Sequence, residues 1–129
     1  MALDPAALPA EVLGFLRERH IGKLTTLRAD GSPHVSAVGF MYDAPARLVR
    51  IITWAASVKA HNAARGGRAV AAQVDGGRWL ALEGTVQLVT EPRAVAAAVA
   101  AYAARYRQPG ERPDRVAIEI AVDRIMGRA

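Results

Sequence analysis

The chain has 129 residues and a mass of 13.7 kDa, the size of one ordinary domain, so a single domain spanning 1–129 is expected. Hydrophobic residues make up 52% and charged residues 22%, a globular rather than disordered balance, and the lack of cysteine excludes disulfides, thiolate zinc sites, iron–sulfur clusters and cysteine nucleophiles together. Seventeen basic against twelve acidic residues give a net charge of +5, which points to an anionic partner.

The first element is a short helix over Pro9–Arg19, because Leu8, Val12, Phe15 and Leu16 fall on one face. The pattern then turns to strand over Lys23–Arg28. Asp30-Gly31 supplies the positive-φ residues of a hairpin turn, and Pro33–Tyr42 returns as the second strand. In that strand Val35, Ala37 and Gly39 face one way and His34, Ser36, Val38 and Phe40 the other. Gly39 leaves its side bare, which suits the close approach of a ligand.

After the turn at Asp43–Ala46, Arg47–Trp54 reads as a β-branched strand, followed by a helix over Ser57–Arg65 that Gly66-Gly67 closes. Arg68–Val74 and Arg78–Thr90 form a further pair of strands around Asp75-Gly76-Gly77. Thr90-Glu91-Pro92 opens a helix to about Arg107, with Thr90 as the expected cap and Val95, Val99, Tyr102 and Tyr106 as its apolar stripe. A loop over Gln108–Asp114 leads to a last strand, where Val116, Ile118, Ile120 and Val122 alternate with Ala117, Glu119, Ala121 and Asp123. Six hairpin-linked strands with three helices predict a small antiparallel barrel, mainly β, with helices over its openings.

No apolar run approaches the roughly 18 residues needed to span a bilayer, and Met1–Pro9 has no signal-peptide pattern, so a cytoplasmic protein with no membrane partner is expected. The charge is concentrated. Arg47, Arg50, Lys59, Arg65, Arg68 and Arg78 fall between Ala44 and Arg78 against Asp75 alone, which suits one compact anion better than a nucleic-acid track. The junction of strand and helix at Thr53–Asn62 is the most informative segment. Ser57 can donate a hydroxyl, Lys59 a charge and Asn62 an amide to a phosphate at the helix N-terminus; Ser57 also fits as a plain cap and Lys59 as a solvated charge.

Three motifs in order, Leu24–Val35, Ser57–Asn62 and Val74–Gly84, resemble the split β-barrel flavin and deazaflavin oxidoreductases, relatives of pyridoxamine phosphate oxidase. Within them the chain is most similar to the actinobacterial branch that uses reduced coenzyme F420, the F420-dependent biliverdin reductases. The resemblance runs from about Leu13 to Gly127. It implies a six-stranded split barrel of the FMN-binding type, a homodimer with the cofactor in a groove at its interface, and hydride transfer to an unsaturated acceptor such as biliverdin.

By similarity the phosphate is held by Thr53, Ser57, Lys59 and Asn62, and His34, Val35, Ser36, Ala37, Val38 and Gly39 line the ring. Arg78 and Trp79 match further cofactor contacts, and Arg78 would also suit the carboxylates of a tetrapyrrole or of the F420 tail. No metal site is implied, and His34, Tyr42 and solvent are the candidate proton donors. Two other readings share the barrel: an FMN-binding pyridoxamine phosphate oxidase-like enzyme, and a non-catalytic barrel that binds an anion or nucleic acid.

Overall fold

The computed structural model describes residues 2–129. It is mainly antiparallel β with three helices. In chain order the elements are β1 (Ala2–Leu3), α1 (Ala10–Arg17), β2 (Gly22–Leu27), β3 (Pro33–Val38), β4 (Met41–Asp43), β5 (Leu48–Trp54), α2 (Val58–Ala64), β6 (Arg68–Asp75), β7 (Arg78–Val89), α3 (Pro92–Arg105) and β8 (Arg115–Arg128).

The strands form one sheet in the order β3-β2-β6-β7-β8-β5-β4, with β1 added to β8. The two end strands follow one another in the chain with only Gly39 and Phe40 between them. Three residue steps reach at most about 11 Å, so the sheet must curl until its free edges face each other. The result is an incompletely closed barrel. Leu24, Val38, Val49, Ile51, Leu80, Leu82, Ile118, Ile120 and Ile125 fill its interior, and Val12, Phe15 and Leu16 of α1 plug one mouth.

Among the described residues there are eight strands, not the six that alternation predicts. One of the additions is β1, too short to carry a periodic signal. The other arises because Pro33–Tyr42 is broken at Gly39-Phe40. There the backbone bonds to α3 instead of to a strand: Phe40 N–H donates to the Tyr106 hydroxyl (3.2 Å), and Arg105 donates to the Phe40 carbonyl. Tyr106 in turn donates to the His20 carbonyl (2.7 Å), and Arg105 reaches the Glu18 carbonyl (2.9 Å) and Gln73 Oε1 (2.7 Å). The end of α3 thus clamps the strand break to α1 and β6.

The last strand runs to Arg128, well past the expected end at Asp123, because a bulge resets its phase. Glu83 faces Arg124 and Gly84 faces Val122, so Asp123 is the extra residue and the inward set resumes at Ile125. Gly84 makes this possible: a Cβ there would lie 1.8 Å from the Ala121 carbonyl oxygen. The cap of α3 is Glu91, not Thr90, with its carboxylate accepting from the N–H groups of Arg93 (3.0 Å) and Ala94 (2.9 Å). The residues of the expected apolar stripe, Val95, Val99, Tyr102 and Tyr106, all stay partly exposed, and the residue α3 buries fully is Ala98.

Candidate functional site

The end of β5 and the start of α2 are built as one hydrogen-bonded corner. Ser57 caps α2, its Oγ accepting from Ala60 N–H (3.2 Å) and from the Thr53 hydroxyl (3.0 Å). Thr53 and Ser57 are both buried, so they shape the corner, while Lys59 on the first turn points to the solvent side. Lys59 Nζ sits 5.0 Å from the centroid of the Trp54 ring, and the Arg112 guanidinium 5.2 Å from it. Partial burial pushes the Lys59 ammonium below its ordinary pKa. Among the described residues no carboxylate pairs with Lys59.

A cleft of about 350 Å³ opens beside this corner. Its walls are the end of β3 with Gly39 (Ala37, Val38, Gly39), the end of β5 (Ile52, Thr53, Trp54), Lys59, Tyr102, and Arg107, Pro109, Gly110, Arg112 and Arg115 from the segment after α3. That segment is tied down where the Ala55 N–H donates to the Asp114 carbonyl (2.9 Å). The cleft therefore gathers four cations. Arg112 chelates Asp114 (3.0 and 3.2 Å), and Arg115 donates to the Gly110 carbonyl (2.7 Å).

Of the sequence-predicted residues, the structure brings Ala37, Val38, Gly39, Thr53 and Lys59 together in the cleft. Ser57 stands behind them as the cap. His34 and Ser36 lie further along β3, opposite Thr26 and Leu24. His34 Nδ1 and Ser36 Oγ are buried without a hydrogen-bond partner in the chain. Val35, 56% exposed, points to the other face.

Asn62, Arg78, Trp79 and Tyr42 stand outside the cleft, and Gly39 lines it with its bare side filled. Asn62 does not reach the cleft: it is buried, its amide donates to the Thr26 hydroxyl (3.0 Å), and its carbonyl accepts from Arg65. Arg78 has no free donor pair, since Nη1 and Nη2 hold Glu18 (2.9 Å each) and Nη2 also holds Asp75 (2.6 Å), while its guanidinium lies 4.2 Å over Phe15. Arg78 and His20 together hold the Glu18 carboxyl down at about 2. Trp79 is on the outer sheet face, away from the cleft. Gly39 does line the cleft, but the space its missing side chain leaves is taken by Tyr102 and Tyr106, both 3.0 Å from where a Cβ would stand. Tyr42 lines hollows beside α1, not the cleft.

The charge-rich window is also largely neutralised at home. Arg50 pairs with Asp43 (2.9 Å), Arg68 with Asp123 (2.6 Å) and Arg78 with Glu18 and Asp75. The cleft's other cations, Arg107, Arg112 and Arg115, come from a stretch that reads as charge-balanced in the sequence. Glu18, His20 and Asp75 place ligand atoms within 4.8 Å of one another, but Arg78 bonds both carboxylates and makes the group an ion-pair network. Among the described residues no helix is long and apolar enough to cross a membrane.

An incompletely closed antiparallel barrel with an anion-attracting cleft at the end of its first hairpin is the architecture of a cofactor-binding split barrel. Residues 8–128 match the pyridoxamine 5'-phosphate oxidase family, and the chain belongs to it. It is 51% identical over 122 residues to the F420H2-dependent biliverdin reductase of Mycobacterium tuberculosis (strain CDC 1551 / Oshkosh), covering 95% of this chain and 89% of that one. Among solved structures it is similar to a conserved hypothetical protein from Mycobacterium tuberculosis (TM-score 0.79, 26% identity, 95% of this chain and 84% of that one). It is also similar to an F420 reductase (TM-score 0.74, 25% identity, 92% and 98%).

Proposed function

We propose that the protein is an oxidoreductase that transfers a hydride from reduced coenzyme F420 to an unsaturated acceptor, with biliverdin reduced to bilirubin. The observation that carries this is the 51% identity, over 95% of the chain, to an F420H2-dependent biliverdin reductase. The site fits an elongated anionic cofactor. Lys59 is a half-buried cation with no carboxylate of its own, and His34 Nδ1 and Ser36 Oγ are buried polar atoms left without partners along the same strand.

When bound, the reduced deazaflavin supplies the hydride. The chain's part is to bind and orient it. Lys59 holds the phosphate, with the corner of Thr53 and Ser57 fixing its position, and the backbone from Ala37 to Gly39 gives the ring a flat wall. Tyr102 and Tyr106, their rings 5.0 Å apart, close the cleft against water on the α3 side.

The assembly in this reading is a homodimer. Its support is the outer face of β3, β2, β6 and β7, where Val35, Leu27, Val74 (69% exposed) and Trp79 (37% exposed) stand uncovered on adjoining strands. Trp79 takes part in this reading as an interface residue.

Fluorescence titration of the protein with F420 and, separately, with FMN tests the cofactor assignment. Saturable F420 binding that FMN does not match is expected. Preferential FMN binding would replace it with the flavin alternative, and binding of neither, with nucleic acid bound in its place, would leave a non-catalytic barrel.

A further inference from the structure

A second groove, of about 820 Å³, adjoins the cleft and is not used by the cofactor reading. Its floor is the partly exposed side of α3, Val95, Ala96, Val99 and Ala100, and its far wall is the 108–115 segment. Arg112 and Arg115 line both spaces, so the two adjoin at these side chains. Two features ask for a ligand. Val95 and Val99 on an otherwise alanine-rich helix are only partly covered, and among the described residues Arg115 donates to one carbonyl oxygen and pairs with no carboxylate.

Resting on the function proposed above, we infer that this groove seats the electron acceptor: a flat, largely apolar conjugated molecule whose carboxylates are held by Arg115 and Arg112. The apolar floor takes the ring system and the arginines at the junction take the acids, which fixes the molecule with its conjugated part turned to the cleft. The glutamyl tail of the cofactor also carries carboxylates. An apolar floor offers nothing to a chain that is polar at every residue, and Glu111 on the rim repels an all-anionic one.

The test uses the full chain with two substitutions, Arg115→Gln and Val99→Trp, and three readouts: KM for biliverdin, KM for its dimethyl ester, and the F420 dissociation constant. Arg115→Gln is expected to raise KM for biliverdin by about tenfold or more, the loss typical of one charge-assisted contact, and to change KM for the ester far less. Val99→Trp, which fills the groove, raises KM for both acceptors. F420 affinity stays within about twofold in Val99→Trp, since Val99 lines the groove and not the cleft.

Unchanged KM values in both variants would overturn the inference. So would a loss of F420 affinity in Arg115→Gln that disappears with a cofactor lacking the glutamyl tail, which would assign the groove to the tail. Failure of the cofactor reading itself looks different: the unsubstituted protein would bind no F420, and both proposals would fall together.

Discussion

Asn62→Ala separates a residue that builds the site from one that touches the ligand. The Asn62 amide and the Thr26 hydroxyl are 4% and 0% exposed and bond to each other across α2 and β2. Truncation leaves the Thr26 oxygen buried without its donor, which costs about 1–3 kcal/mol. The lost bond from Arg65 adds little, because that side chain is at the surface and returns to water. At roughly 4 °C per kcal/mol for a domain of this size, the melting temperature should fall by about 4–12 °C. In urea the midpoint should drop with the slope unchanged, and F420 affinity of the folded variant should stay within about twofold. Combining Asn62→Ala with Thr26→Val should cost less than the two singles added together, since both partners then leave at once. A variant as stable as the parent that has lost F420 binding would refute the reasoning and return Asn62 to the ligand.

Lys59→Ala should weaken F420 binding by about 1.5–3 kcal/mol with little change in stability, and an unchanged dissociation constant would remove Lys59 from the site. Since burial lowers the Lys59 pKa, the affinity of the parent should begin to fall at a less alkaline pH than an exposed lysine would give. Gly84→Ala should destabilise the fold by about 4 kcal/mol or more, or prevent soluble expression, because the new methyl group meets the Ala121 carbonyl across the bulge; a melting temperature near the parent's would contradict that geometry. Glu18 has its pKa lowered from 4.5 to about 2, so its contribution is present above pH 4.5 and is lost as the pH falls towards 2. Urea midpoints at pH 4.5 and 2.5 should therefore differ less in Glu18→Gln than in the parent, and high salt should narrow the gap.

Local patterns carried most of the fold. The Asp30-Gly31 and Gly76-Gly77 turns and the alternation in β2, β3, β6 and β7 need only neighbours in the chain to be read, and Gly31 and Gly76 do take positive φ. What escaped depends on distant partners. The bulge at Asp123 requires Gly84 on the facing strand, and the break after Val38 requires Arg105 and Tyr106 from a helix more than sixty residues later. Charge was misleading for the same reason. Arg68 looks free beside its chain neighbours and Arg78 has only Asp75 near it in sequence, but Asp123 reaches Arg68 from β8, two strands away, and Glu18 reaches Arg78 from the end of α1. Conversely Arg112 and Arg115, balanced on paper by Glu111 and Asp114, are carried into the cleft by a loop whose path no periodicity reveals. The capping role of Ser57 was legible from its position before the helix; the burial of Asn62 was not, because its partner Thr26 lies on another strand.

The most direct measurement mixes the protein with reduced F420 under anaerobic conditions and follows the return of oxidised F420 absorbance before and after biliverdin is added. The account predicts no oxidation until biliverdin is present, then oxidation of one F420H2 for each bilirubin formed. Binding of reduced F420 with no oxidation on adding biliverdin would contradict the proposed reaction.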